Sequence, residues 1–295
     1  VRQNFKIRAI MIFIYYNEPR FLTFWNFIMH PMLNIAVRAA RTAGNLIARN
    51  IGQSQNFEVA EKNKDDLVTD IDKECEKTIT QIILKSYRDH CVIGEEAGAQ
   101  GNPDSEYKWI IDPIDGTTNF VKGIGHSAVS IALRHNDKVE VGVVFDPLLN
   151  EMFTAARGEG ASLNGRRIRV SDADSLDGTI IGTAFPTRYR ERMGAYLELF
   201  SRLIDNCADV RRMGAASLDL CYVACGRFDG YLEQGLKLWD FSAGELIVRE
   251  AGGIITDFMG EPGYVKSGNL VAGNPKVVRS LLKVCDPQTL PAILH

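Results

Sequence analysis

Trp109-Ile110-Ile111-Asp112-Pro113-Ile114-Asp115-Gly116-Thr117-Thr118-Asn119-Phe120 decides how this 295-residue chain is read. A short apolar run of this kind predicts a buried strand. It leads straight into two carboxylates set around a proline, so Asp112, Asp115 and the Ile114 carbonyl can supply oxygens from one bend. Hard divalent cations such as Mg²⁺ require oxygen ligands of this sort. If a helix starts at Gly116-Thr117-Thr118, its free N–H groups offer an anion a donor-lined, positive dipole end. Either aspartate alone would read as an Asp-Pro turn with a threonine capping the next helix. The combination points to a metal and a phosphate sharing one loop.

Working outward, three more acidic sites follow apolar segments: Asp70 and Asp72 in Leu67-Val68-Thr69-Asp70-Ile71-Asp72, Glu95 and Glu96 after Val92-Ile93-Gly94, and Asp240 in Leu238-Trp239-Asp240. Taken singly, each has a structural reading. Asp70 would be a helix N-cap, Glu95 and Glu96 a solvated loop, and Asp240 the cap of a helix beginning at Phe241.

The periodicity predicts helices over 31–50 and 71–87, with 61–66 as a charged connection between them. Short buried strands are expected at 91–93 and 109–111, and an antiparallel meander at 129–133, 139–145 and 151–155. Asn164-Gly165 signals a tight turn, and the polar stretch 171–178 suggests a domain junction. Beyond it, strands at 179–183, 210 and 228–233 alternate with helices at 189–204, 218–225 and 241–251, an α/β pattern. The expected division is an N-terminal extension over 1–28, an α+β metal-binding domain over 29–168 and an α/β domain over 169–295.

A formal net charge of −3 predicts neither a nucleic-acid footprint nor a polybasic membrane anchor. The six cysteines are scattered, with no Cys-x-x-Cys pair, and read as reduced thiols; Cys221 and Cys225 would share a helix face as packing. None of the histidines shows metal-ligand spacing. The apolar run within 1–28 is too short to span a bilayer and no small-residue cleavage site follows it. A cytoplasmic protein is expected.

Together these segments resemble the inositol monophosphatase family, most closely its bacterial SuhB-type members. The resemblance runs from about Met29 to near the C-terminus. It is carried by the 109–120 stretch and by Trp239-Asp240-Phe241-Ser242-Ala243-Gly244-Glu245, followed by Glu250-Ala251-Gly252-Gly253. It implies a layered α-β-α-β-α sandwich and a lithium-sensitive phosphomonoesterase that releases inositol from its monophosphate. Glu95, Asp112, Asp115, Asp240 and the Ile114 carbonyl would hold two or three Mg²⁺ ions. Thr117 and Asp72 would orient a metal-bound water, and Lys62 would be auxiliary. Gly116, Thr117 and Thr118 would hold phosphate, with Gly214, Ala215, Ala216, Glu233 and Asp240 contacting the substrate. Ala215 stands where the family often has a hydroxyl, and Ser242 where alanine is usual.

The resemblance also implies a homodimer. It leaves 3'-phosphoadenosine 5'-phosphate or fructose 1,6-bisphosphate as alternative substrates for the same metal core. A role of another class is a transcription antitermination factor that binds RNA polymerase machinery. Arg188, Arg190, Arg192, Arg211 and Arg212 could lend such a factor a basic surface, although a solvated charged face is the ordinary reading of such residues.

Overall fold

Pro31 sets the first φ of a helix, and small or aliphatic residues follow at helical spacing, so α1 (Pro31–Asn50) forms with Leu33, Ala36, Ala40, Ala43 and Ile47 buried along one stripe. The structure, a computed structural model, describes residues 30–53, 58–63, 66–186 and 190–285. The expectations for 1–28, for Arg188 and for the side chain of Lys62 therefore lie outside the described residues.

The stretch expected as a charged connection instead forms part of an antiparallel hairpin, β1 (Val59–Asn63) and β2 (Asp66–Thr69). Next comes α2 (Asp70–Ser86), and its N-cap is Thr69 rather than Asp70. Thr69 is extended and its hydroxyl accepts the Asp72 N–H at 3.3 Å, while the Thr69 N–H donates back to Asp72 Oδ2 at 2.9 Å. This reciprocal box satisfies two donors that a helix start leaves unpaired.

The first large sheet contains β3 (Cys91–Gly94), β4 (Gly98–Gly101), β5 (Tyr107–Asp115), β6 (Ala128–His135), β7 (Lys138–Asp146), β8 (Glu151–Ala156), β9 (Gly160–Leu163) and β10 (Arg166–Arg167), with α3 (Thr117–Lys122) between β5 and β6. Its order is β10-β9-β8-β7-β6-β5-β3-β4. The β6–β7–β8 meander is antiparallel as expected, and Asn164-Gly165 turns β9 into β10 with both residues at positive φ, 49° and 76°. The sequence reading did not find β4 or β9, because Gly-Ala-Gln-Gly and Gly-Ala-Ser-Leu lack an apolar alternation.

The second sheet contains β11 (Ile180–Thr183), β12 (Asp209–Arg211), β13 (Gly230–Glu233), β14 (Ile254–Thr256) and β15 (Leu270–Gly273), ordered β12-β11-β13-β15-β14. Its helices are α4 (Met193–Ile204), α5 (Ala216–Ala224), α6 (Leu238–Glu250), α7 (Tyr264–Ser267) and α8 (Pro275–Val284). Helix α6 starts three residues earlier than expected, so Asp240 sits within its first turn and does not cap a helix beginning at Phe241.

Three apolar cores bind these elements into α-β-α-β-α layers. Ile47 of α1 and Ile79 and Ile83 of α2 pack on Trp109, Ile111 and Val143 of the first sheet. Leu220 of α5 and Phe241 and Ile247 of α6 fill the space between Phe153 of that sheet and Tyr231 and Leu270 of the second. Leu199 and Leu203 of α4 and Leu281 of α8 cover the far side, on Ile181 and Val271. Gly142 lets α6 lie directly on β7, since a Cβ there would stand 2.7 Å from the Ala243 carbonyl oxygen. Among the described residues no helix is long and apolar enough to cross a membrane, and all six cysteines are free thiols.

Candidate active site

Strands β3 and β5 are the parallel pair within the first sheet, in the register Ile93↔Ile110 and Gly94↔Ile111. Parallel strands deliver their next residues to the same edge. Glu95 and Asp112 therefore leave side by side, and the Glu95 N–H extends the ladder to the Ile111 carbonyl at 3.2 Å.

Strand β5 does not end in a bend at Asp112-Pro113, as the sequence suggested, but continues to Asp115 through a bulge against β6. Proline cannot donate to the ladder, and a bulge absorbs that loss. Asp112 Oδ1 accepts the Ile114 N–H at 3.1 Å. Asp115 Oδ2 accepts the N–H and hydroxyl of Ser217, at 2.7 and 2.5 Å, across 102 residues of chain. Asp115 thereby takes a donor that α5 leaves at its N-terminus, where Ala215 has no capping side chain. On α6, Asp240 Oδ2 accepts the Lys237 N–H at 2.6 Å.

Gly116 adopts φ 86°, with no room for a Cβ beside the His126 and Gly214 carbonyls, and starts the six-residue α3. The Thr117 hydroxyl lies 3.2 Å from Asp72 Oδ1 and 3.0 Å from the Ile114 carbonyl. The other oxygen of Asp72 is the one held by Thr69, so the carboxylate presents a fixed face to Thr117. Asn119 donates to the carbonyls of His126 and Met213, at 2.7 and 2.9 Å, and ties the loop before α5 to this corner.

On the second sheet, Glu233 at the end of β13 accepts the Tyr231 hydroxyl from the same strand face. Asp219, on the first turn of α5, pairs with His126 at 3.2 Å, both nearly fully buried. Arg212 is exposed and folds over Gly214, where a Cβ would stand 2.4 Å from its Nη1.

One cavity of about 210 Å³ joins these groups. Glu95, Asp112, Ile114, Asp115 and Asp240 border one part of it, Gly116, Thr117 and Thr118 another, and Gly214, Ala215, Ala216 and Glu233 the rest. Asp219 and Arg212 also line it. Asp72 reaches it through Thr117, and Lys62 is part of β1, its side chain outside the described residues.

Burial, followed by Glu95, Asp115, Asp240 and Asp72, holds the Asp112 carboxyl well above the usual carboxylate range. Burial also pushes Asp115 up to about 7, against the Ser217 hydrogen bonds that favour its charged form. Asp72 is raised to about 6 and Glu233 to about 8, with burial again the chief cause. Like charges crowded in a poorly solvated space resist joint ionisation, and a cation among them reverses that cost.

Among the described residues no three carboxylate, thiol or imidazole side chains are grouped so that they could hold a metal ion by themselves. The donor set nevertheless fits a hard cation: it is all oxygen, it faces one cavity, and Asp112 and Asp115 each spend one oxygen on the hydrogen bonds above, leaving the second for other use.

Ser217, Asp219, Asn119 and Glu76, which accepts two N–H groups of the turn after Glu95, escaped the sequence reading as site residues. Asp219 had one available signal: it lies four residues after Ala215, one helical turn into α5. Arg212, expected as surface charge, borders the cavity while remaining exposed. Arg211 pairs with Asp209 at the surface, as a solvated charged face would.

The pattern of the Inositol monophosphatase family matches residues 28–286. The Nus factor SuhB of Escherichia coli strain K12 is 54% identical over 254 residues, covering 86% of this chain and 95% of that protein. The extragenic suppressor protein suhB from Bartonella henselae superposes with a TM-score of 0.85 at 39% identity, covering 87% of this chain and 99% of that one. The Thermotoga maritima IMPase gives a TM-score of 0.80 at 32% identity, over 89% and 100% of the two chains.

Proposed function

This chain belongs to the inositol monophosphatase family, and from that premise we propose that it is a Mg²⁺-dependent phosphomonoesterase that hydrolyses inositol monophosphate. The observation that carries the reading is the convergence of Glu95, Asp112, Asp115, Asp240 and the Ile114 carbonyl on one cavity beside Gly116-Thr117-Thr118. These five would hold two or three cations. Cations bound there would act as Lewis acids on phosphate oxygens and lower the pKa of water towards neutrality.

The chain's own groups supply the remaining chemistry. The amides and hydroxyls of Gly116, Thr117 and Thr118 receive phosphate. The Thr117–Asp72 hydrogen bond, fixed from behind by Thr69, orients the attacking water and gives its proton an acceptor. Glu233 is held by Tyr231 where it can accept hydroxyls of a polyol, and the Gly214-Ala215-Ala216 backbone lies against the ring. Ala215 has no hydroxyl, so this wall contacts substrate through backbone alone. No covalent phosphoenzyme is required.

The test is phosphate release from inositol monophosphate, fructose 1,6-bisphosphate and 3'-phosphoadenosine 5'-phosphate, assayed side by side with Mg²⁺ and with chelator. Mg²⁺-dependent turnover with inositol monophosphate as the best substrate is expected. Turnover that survives chelation would overturn the metal reading, and preference for either of the other esters would reassign the substrate.

A second reading, binding to transcription machinery, is favoured by relatives that bear the name Nus factor SuhB. Retention of RNA polymerase and its elongation factors on the immobilised chain at low salt supports it, and failure to retain them removes it. The Asp112→Asn variant should retain them equally, because this role does not use the cavity.

A further inference from the structure

Glu76 stands one helical turn after Asp72 on α2, so both carboxylates project from the same helix face. Its side chain is 1% exposed. Its two oxygens accept the N–H groups of Glu96 at 2.7 Å and Ala97 at 2.8 Å. These are successive amides of the turn that joins β3 to β4, and the residue before them is Glu95. The preceding Gly94 has no room for a side chain, because a Cβ would lie 2.2–2.4 Å from the Glu76 carboxylate. Burying a carboxylate is costly, and charge-assisted hydrogen bonds to these two amides help to offset that cost. Glu95 is thus fixed from two directions, by the Ile111 carbonyl through its own amide and by Glu76 through the next two.

We propose that Glu76 is a positioning residue that aims Glu95 into the cavity and thereby sets the affinity for divalent cation, without touching the cation itself. The proposal rests on the metal-dependent reading above. It makes the first two turns of α2 a single support for the site, in which Asp72 serves Thr117 and Glu76 serves Glu95. Groups that orient a ligand from behind typically alter metal affinity about 10- to 100-fold.

The experiment is Mg²⁺ binding to the full chain by calorimetry, with the Mg²⁺-induced rise in Tm and the Mg²⁺ dependence of turnover as parallel readouts. The proteins are wild type, Glu76→Gln, Gly94→Ala and Thr80→Val. A glutamine at 76 accepts one amide and turns an N–H towards the other. An alanine at 94 displaces the carboxylate while leaving every charge in place. Thr80 lies one turn further along α2, is buried, and its hydroxyl has no partner among the described residues, so its variant perturbs helix packing alone.

Glu76→Gln and Gly94→Ala should both weaken Mg²⁺ binding about 10- to 100-fold, with kcat at saturating Mg²⁺ kept within about threefold, and Thr80→Val should bind as wild type does. Wild-type affinity in a folded Glu76→Gln overturns the proposal. Should that variant fail to fold, wild-type affinity in Gly94→Ala overturns it equally. Absence of Mg²⁺ binding in the wild-type chain is a different failure, which removes the metal reading itself and this inference with it.

Discussion

On the wall built by the first sheet and α6, a backbone amide grips each of three acidic side chains: Ile114 N–H holds Asp112, Ser217 N–H holds Asp115 with the Ser217 hydroxyl added to it, and Lys237 N–H holds Asp240. On the wall facing the second sheet the partners are side chains, with the Tyr231 hydroxyl on Glu233 and the His126 ring on Asp219. Backbone amides persist through almost any substitution, whereas a tyrosine or histidine is lost with one. The first wall therefore keeps its amide contacts as long as the fold survives, with the Ser217 hydroxyl as its replaceable part, and the second can be retuned one residue at a time. This division suits a site whose bond-breaking chemistry stays constant while the alcohol it releases varies, and it predicts mutations of graded severity.

The largest loss is expected from Asp112→Asn, which removes a central charge of the first wall. Turnover should fall at least about 10³-fold, equivalent to roughly 4 kcal/mol of transition-state stabilisation, and the Mg²⁺-induced rise in Tm should disappear. Thr117→Ala leaves the carboxylates intact, so kcat should drop about 10²- to 10⁴-fold with Mg²⁺ binding little changed; equal loss of Mg²⁺ binding would mean that Thr117 shapes the metal wall instead. Glu233→Gln acts on the second wall. It should lower kcat/KM for inositol monophosphate about 10-fold, as the loss of a hydrogen-bond acceptor for a ring hydroxyl does, while phenyl phosphate, which has no ring hydroxyls, is spared. Equal loss on both esters would erase the distinction between the walls.

The smallest effect concerns the cation-free protein. Burial raises Asp115 to about 7 in the fold from an ordinary value near 3.8. A folded pKa above the unfolded one stabilises fully below about pH 4, and that contribution is lost as pH rises through 7. Thermal unfolding in chelator should therefore give a Tm that declines between pH 5 and 8, and Asp112→Asn should flatten the decline. A wild-type Tm rising over that window would contradict the burial of these carboxylates.

The first wall was largely legible in the sequence and the second less so, for a physical reason. Asp112 and Asp115 follow an unbroken apolar strand, and local order alone shows that the chain delivers oxygens to a sheet edge. The parallel register that sets Glu95 beside Asp112 depends on pairing between distant strands, so resemblance supplied Glu95 while its neighbours stayed hidden. Ser217 reaches Asp115 from 102 residues away, and Glu76 looks in sequence like any acidic residue of an amphipathic helix. Thr69 displaced Asp70 as the cap of α2 because its hydroxyl completes the reciprocal box with Asp72. Short strands of small residues, β4 and β9, gave no apolar signal because their place in the sheet is set by partner strands.

Everything proposed for this site requires that the carboxylates of the first wall jointly hold hard cations. Anomalous diffraction from crystals grown with Mn²⁺ and phosphate tests it most directly. Anomalous peaks coordinated by Glu95, Asp112, Asp115, Asp240 and the Ile114 carbonyl are expected, with phosphate against Gly116-Thr117-Thr118. Well-ordered carboxylates with no peak among them, at Mn²⁺ concentrations that sustain turnover, would contradict it.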